Sequence, residues 1–208
     1  MFKSKTVFIV GAGASAEIGL PTGAKLIEGM APQLKFDLDE FSRPTRGDKA
    51  LFEIIQRHTY SDNRHEYAIN LKAHVFAAER ISKGLNYAMS IDNFIDIHKD
   101  DYRIEFCGKL AIASNILKAE RDSSLYVNPD KRHATFDVEK VKKTWFHRFV
   151  QILHTGVSVD DVGGIFDNIS IITFNYDRCI EHFLLHALRD IYHLESGDTE
   201  KLLSGLRG

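Results

Sequence analysis

Cysteine is scarce in this chain of 208 residues, with Cys107 and Cys179 as its only two. Two thiols cannot build a disulfide framework, and they are too few for the paired Cys-x-x-Cys knuckles of a structural zinc ribbon. They are expected as buried thiols in a reducing cytoplasm. Long apolar runs are missing too. No stretch approaches the roughly 18 apolar residues of a membrane span, so no membrane partner is expected. An excess of one charge sign is also lacking: the net charge is −2 and Lys and Arg are scattered, which excludes the electrostatic footprint of a nucleic-acid binder. What remains is 44% apolar and 27% charged residues, enough for a buried core and too apolar for a disordered chain.

The N-terminal stretch VFIVGAGASAEIGLPTG, residues 7–23, concentrates the chemistry. Lys3 and Lys5 ahead of an apolar run, with Ala14-Ser15-Ala16 as a small-residue cleavage site, imitate an export signal. Gly11 and Gly13 interrupt that run where a signal helix is most hydrophobic, so export is disfavoured. The alternative is a short strand over 6–10 with a continuous β-branched run, as in a parallel sheet covered on both faces, leading into a helix within Gly11-Ala12-Gly13-Ala14-Ser15-Ala16. The first glycine permits a tight turn and the second lets backbone N–H groups approach a ligand. Ala16 stands where a small residue allows close helix–sheet packing, and the helix start favours an anion such as a pyrophosphate. A loop of this kind also occurs in strand-to-helix junctions that bind nothing. The acidic partner expected ~20 residues on is not obvious, because Asp37 and Asp39 lie too far along. An ordinary dehydrogenase is therefore disfavoured.

The helix is expected to end near Gly19-Leu20-Pro21, with Thr22 capping a second helix through about Leu34. Residues 36–48 read as loop. Helices are expected over 48–58, 64–82, 101–120 and 137–154, the last with Val138, Val141, Trp145, Phe149 and Ile152 on one face. Residues 122–135 read as a surface loop. A second buried strand is expected over 168–174, and a helix over 177–193 with Ile180, Phe183, Leu184, Ala187, Leu188 and Ile191 inward. Strand, helical insertion and strand predict an α/β fold with a Rossmann-like doubly wound parallel sheet. Its Rossmann-like parts would be 1–35 and 155–208 of a single domain, with the helical insertion over 48–154.

Thr173-Phe174-Asn175-Tyr176-Asp177 falls where the second strand ends and a helix begins. Asn175 and Asp177 either face the same crevice as the glycine loop or serve locally, Asn175 as a cap and Asp177 in the first turn.

The order Gly11-Ala12-Gly13-Ala14-Ser15, Gly19-Leu20-Pro21, Ser90-Ile91-Asp92-Asn93-Phe94 and Thr173-Phe174-Asn175-Tyr176-Asp177 resembles the sirtuin superfamily over roughly residues 6–194. It is most similar to the sirtuin-like NAD hydrolases of bacterial anti-phage defence, which include the Thoeris effector and the subunits paired with HerA-type ATPases. The resemblance implies NAD as substrate, cleaved to nicotinamide and ADP-ribose, with cell defence by NAD depletion. It implies that Gly11, Ala12, Gly13 and Ser15 line the phosphates and that Asn175 and Asp177 surround the nicotinamide ribose, with Ala14, Pro21, Thr22, Thr173 and Tyr176 among the residues that bind the cofactor. Asn175 would be needed for bond cleavage. Asp92 would reach the same crevice or act only as a first-turn acid behind a Ser90 cap. A homo-oligomer or a HerA-type ATPase partner is implied as the restraint on such an activity.

The pattern departs from the family in two places. Thr22, Gly23 and Ala24 stand where sirtuin deacylases carry aspartate, phenylalanine and arginine, and the four-cysteine zinc module is lacking, so deacylation is not expected. The family's histidine motif beyond the asparagine strand is also not found, so the fold is expected to be C-terminally incomplete. His193 is the one spaced substitute as general base; otherwise the chain is a catalytically idle nucleotide-sensing or assembly subunit. His182, His186 and Asp190 share a helix face at metal-site spacing but lack a third strong ligand, so no metal is expected.

Overall fold

The computed structural model describes residues 2–41, 43–130 and 135–204. In chain order come β1 (Thr6–Val10), α1 (Ala12–Ala16), α2 (Gly23–Gln33), β2 (Asp37–Leu38), β3 (Pro44–Arg46), α3 (Lys49–Thr59) and α4 (Arg64–Gly84). There follow α5 (Ile91–Ile97), α6 (Tyr102–Asp122), α7 (Trp145–His154), β4 (Ile169–Thr173), α8 (Cys179–Tyr192) and α9 (Ser196–Ser204). The chain divides into two compact units: Met1–Leu20 with Ala119–Gly208, and Pro21–Lys118. The first division falls at the Leu20–Pro21 step, ahead of α2.

The first unit is a mixed α/β body. β1 and β4 pair in parallel, from Thr6 beside Ile169 to Val10 beside Thr173, which requires a long crossover, since parallel strands cannot be joined by a hairpin. Below this sheet Phe146, Phe149, Phe183, Leu184 and Val10 form the core with Ile18, each large side chain contributing about 2 kcal/mol by leaving water. Gly19, at φ +102°, turns the chain out of α1 in a conformation that only glycine adopts without strain.

The doubly wound sheet expected from the two apolar runs is not what this unit displays. Among the described residues the parallel sheet has two strands. Its outer face is open, with Val7 58% and Ile9 73% exposed beside Ile172. A continuous apolar run marks both faces of a strand as suited to burial but does not fix how many neighbours cover them.

The expected helix over 137–154 is also interrupted. A short 3₁₀ turn, Val138–Val141, precedes Thr144, which takes extended angles as the N-cap of α7. The break rotates the apolar face, so Phe146, Phe149, Val150 and Leu153 point inward while Ile152 is exposed. On α8 the expected face holds at Ile180, Phe183, Leu184 and Leu188, but Tyr192 is buried in place of Ile191.

The second unit packs helices about Met30, Leu34, Phe52, Ile55, Ile81 and Ile104. Its helix starts follow local polar residues: Asp48 accepts from Ala50 and Leu51 N–H, Asn63 from His65 and Glu66, and Ser90 from Asn93. The stretch read as loop over 36–48 contains the small antiparallel pair of β2 and β3, tied by the Thr45 hydroxyl to the Asp37 carbonyl. Of the loop expected over 122–135, residues 131–134 lie outside the described residues. Among the described residues no helix is long and apolar enough to cross a membrane.

Candidate functional site

In the first unit the ends of β1 and β4 lie side by side, and hydrogen bonding continues one step past the strands, from Phe174 N–H to the Val10 carbonyl at 3.1 Å. Both sequence constellations leave the sheet here. Gly11, extended at φ −116° and ψ 178°, stands at the N-cap of α1 without a side-chain cap. A Cβ placed on Gly11 or Gly13 would meet nothing within 4 Å, so the turn has open space above its backbone.

From β4, the Thr173 hydroxyl accepts from Asn175 N–H at 3.1 Å and fixes the chain as it leaves the strand. The Asn175 side chain then turns towards α1, where its Nδ2 donates to the Ser15 hydroxyl at 3.1 Å. Its Oδ1 is buried and finds no donor in the protein. A buried acceptor left in this way costs about 1–3 kcal/mol, so this carbonyl is the least satisfied group at the strand tips and the natural point for a ligand hydroxyl.

The local alternatives resolve residue by residue. Asn175 does not cap α8, whose N-cap is Arg178 with no side-chain hydrogen bond. Asp177 takes the capping work, accepting from Cys179 N–H at 3.0 Å. Burial, and then the adjacent Asp177 carboxylate, push the Cys179 thiol well above the usual range, which makes it an inert neighbour rather than a nucleophile. Tyr176 is exposed. Ser15 is only 1% exposed, and its hydroxyl accepts from Asn175.

Two residues behind the turn carry no local sequence signal. The Trp145 indole Nε1 donates to the Ala14 carbonyl at 2.8 Å, and the Trp145 backbone N–H donates to the Glu17 carboxylate at 2.8 Å. Together they clamp α1 onto the start of α7, which the sequence presents only as one more apolar position.

His193 is the exposed, left-handed C-cap of α8, at φ 54°. A helix of 14 residues spans about 20 Å, and that length separates His193 from the Asn175 end. Pro21, Thr22 and Asp92 belong to the second unit. There Thr22 is the N-cap of α2, its carbonyl accepting from Leu26 N–H, and Asp92 sits in the first turn of α5 behind the Ser90 cap. His182 meets the Leu125 carbonyl through Nε2 at 3.1 Å, and His186 stacks on Phe136. Among the described residues no group of three or more His, Cys, Asp or Glu is placed to hold a metal.

No protein-family model matches the sequence, and neither a curated protein nor a solved structure matches it.

Proposed function

We propose that the joined tips of β1 and β4 form the floor of an NAD site and that the protein hydrolyses NAD to nicotinamide and ADP-ribose. The observation that carries this reading is the Ser15–Asn175 hydrogen bond, which unites the two separate motifs and leaves Asn175 Oδ1 without a donor. The open space over Gly11 and Gly13 suits a pyrophosphate against the backbone. Asn175 Oδ1 would accept from a ribose hydroxyl. Cleavage of the N-glycosidic bond passes through an oxocarbenium-like state, so a ribose contact that tightens as positive charge develops lowers the barrier, with water as acceptor.

In this reading the β1–β4 pair is the centre of a Rossmann-like doubly wound arrangement. NAD depletion would serve anti-phage defence in the cytoplasm, with a homo-oligomer or a HerA-type ATPase as restraint. Incubating the full chain with NAD and following nicotinamide by chromatography tests the proposal. Release is expected, reduced at least about a hundredfold by Asn175→Ala. Absence of release overturns the hydrolysis, and absence of NAD binding as well overturns the site.

One observation favours a second reading. His193 lies a helix length from Asn175, so the one histidine spaced to act as base is not beside the proposed ribose site. An idle nucleotide-sensing or assembly subunit would bind NAD or ADP-ribose in calorimetry and release no nicotinamide.

A further inference from the structure

Three helices of the second unit meet around one imidazole. His74, midway along α4, is 2% exposed. Its Nδ1 lies 2.8 Å from the Asn70 carbonyl one turn back, so Nδ1 carries the hydrogen and Nε2 remains an acceptor. Nε2 is buried and meets no donor. The ring is surrounded by aromatic side chains, each edge to face: His58 from α3 at 5.5 Å, Tyr102 from α6 at 5.7 Å and Phe106 from α6 at 5.8 Å between centroids. The Cys107 thiol of α6 also points at the His74 backbone carbonyl, 3.6 Å away.

A proton added at Nε2 would find no acceptor there. Of the charged groups facing the ring, His58 on α3 and Arg103 on α6 oppose a positive charge, and only Asp101, just before α6, favours one. Asp101 is already engaged through both oxygens, by Arg80 Nη1 at 3.0 Å and by the Arg103 backbone N–H at 3.2 Å. The Arg103 guanidinium lies over the Tyr102 ring, 4.6 Å from its centroid, and its Nε is itself buried without a partner.

We propose that His74 is a proton-operated pin: neutral, it locks α4 against α3 and α6, and its protonation in mild acid loosens the Pro21–Lys118 unit. Burial holds the imidazole below the ordinary histidine range, and the His58 and Arg103 charges act in the same direction against the Asn70 hydrogen bond and Asp101. The sign follows from linkage. With the folded value depressed, the unfolded chain takes up the proton first, so the contribution is complete above the unfolded value of about 6.5 and is lost as pH falls towards the folded one. The pin is independent of whether the Ser15–Asn175 site handles NAD.

The test uses the full chain. Histidine side-chain ¹H–¹⁵N spectra are followed from about pH 8 to about pH 5, and urea unfolding of wild type, His74→Phe and His74→Gln is measured near the two ends. His74 is expected as the Nδ1–H tautomer, titrating below the ordinary value. The wild-type folding constant should fall by up to about tenfold for each pH unit of that depression, and by less in either variant that folds. Burial also holds His186 in the other unit low, but its share is common to wild type and variants and cancels in the comparison. Titration of His74 at or above the ordinary value overturns the proposal, as does a full wild-type acid loss in both variants.

Discussion

Asn175 reaches across 160 residues of sequence to donate its side-chain amide to the Ser15 hydroxyl. The bond fixes the plane of the amide and so fixes where its other end, the unpartnered Oδ1, is directed. The tips of two strands remote in sequence thereby act as one polar unit, built from a buried hydroxyl on one side and an amide on the other.

Coupling between the two side chains is the first expectation. Ser15→Ala should cost about 1 kcal/mol, Asn175→Ala should cost less because it also removes the unpartnered Oδ1, and the effects should not add in the double variant, because one shared bond is being counted twice. Urea unfolding of all four proteins measures this; strict additivity would show that the bond does not form in solution.

Trp145 is the sole tryptophan, and its indole holds the Ala14 carbonyl of the glycine turn. Its fluorescence should therefore change when NAD or ADP-ribose is added. Trp145→Phe keeps most of the packing, removes that bond and should cost about 1 kcal/mol in thermal or urea unfolding. A silent fluorescence titration alongside binding seen by calorimetry would place the ligand away from the turn.

Two glycines should respond in opposite ways. Gly19 has φ +102°, so Gly19→Ala should destabilise by more than about 1 kcal/mol. Gly13 lies inside α1 with nothing near the Cβ it lacks. Gly13→Ala should leave stability unchanged or raise it by about 0.5–1 kcal/mol while weakening NAD binding. Equal losses of stability at the two positions would remove the case for open space above the turn.

Asp48 combines two roles in the second unit, capping α3 and pairing with Lys118. Burial pushes its carboxyl up, but Lys118 and the Leu51 and Ala50 N–H groups outweigh this and hold it below the ordinary aspartate range. With the folded value depressed, its contribution is present above the unfolded value near 4 and is lost as pH falls through the folded one. Asp48→Ala should cost about 1–2 kcal/mol near neutrality, and urea midpoints should show the gap from wild type closing below about pH 4.

Both parallel strands and several helix starts are legible in the sequence. The β-branched run at 6–10 and the apolar run over 168–174 point to both parallel strands, apolar spacing points to the helices that begin near 48 and 64, and Ser90 marks the start of α5. Properties that depend on remote neighbours were not legible. Val7 and Ile9 read as buried, yet their exposure depends on whether other elements cover that face. Thr144 broke the helical period over 137–154 and moved the core from Ile152 to Leu153. Glu17 and Trp145 meet only in three dimensions, and no local pattern announces such a clamp.

The alignment of Thr6 with Ile169 also sets a schedule for biosynthesis. At ribosomal speeds β1 emerges roughly ten to thirty seconds before its partner, and in that interval it is a bare, sticky β-segment that a neighbouring nascent chain can capture. Cells making this protein quickly therefore have reason to shield β1 with a chaperone until β4 is translated.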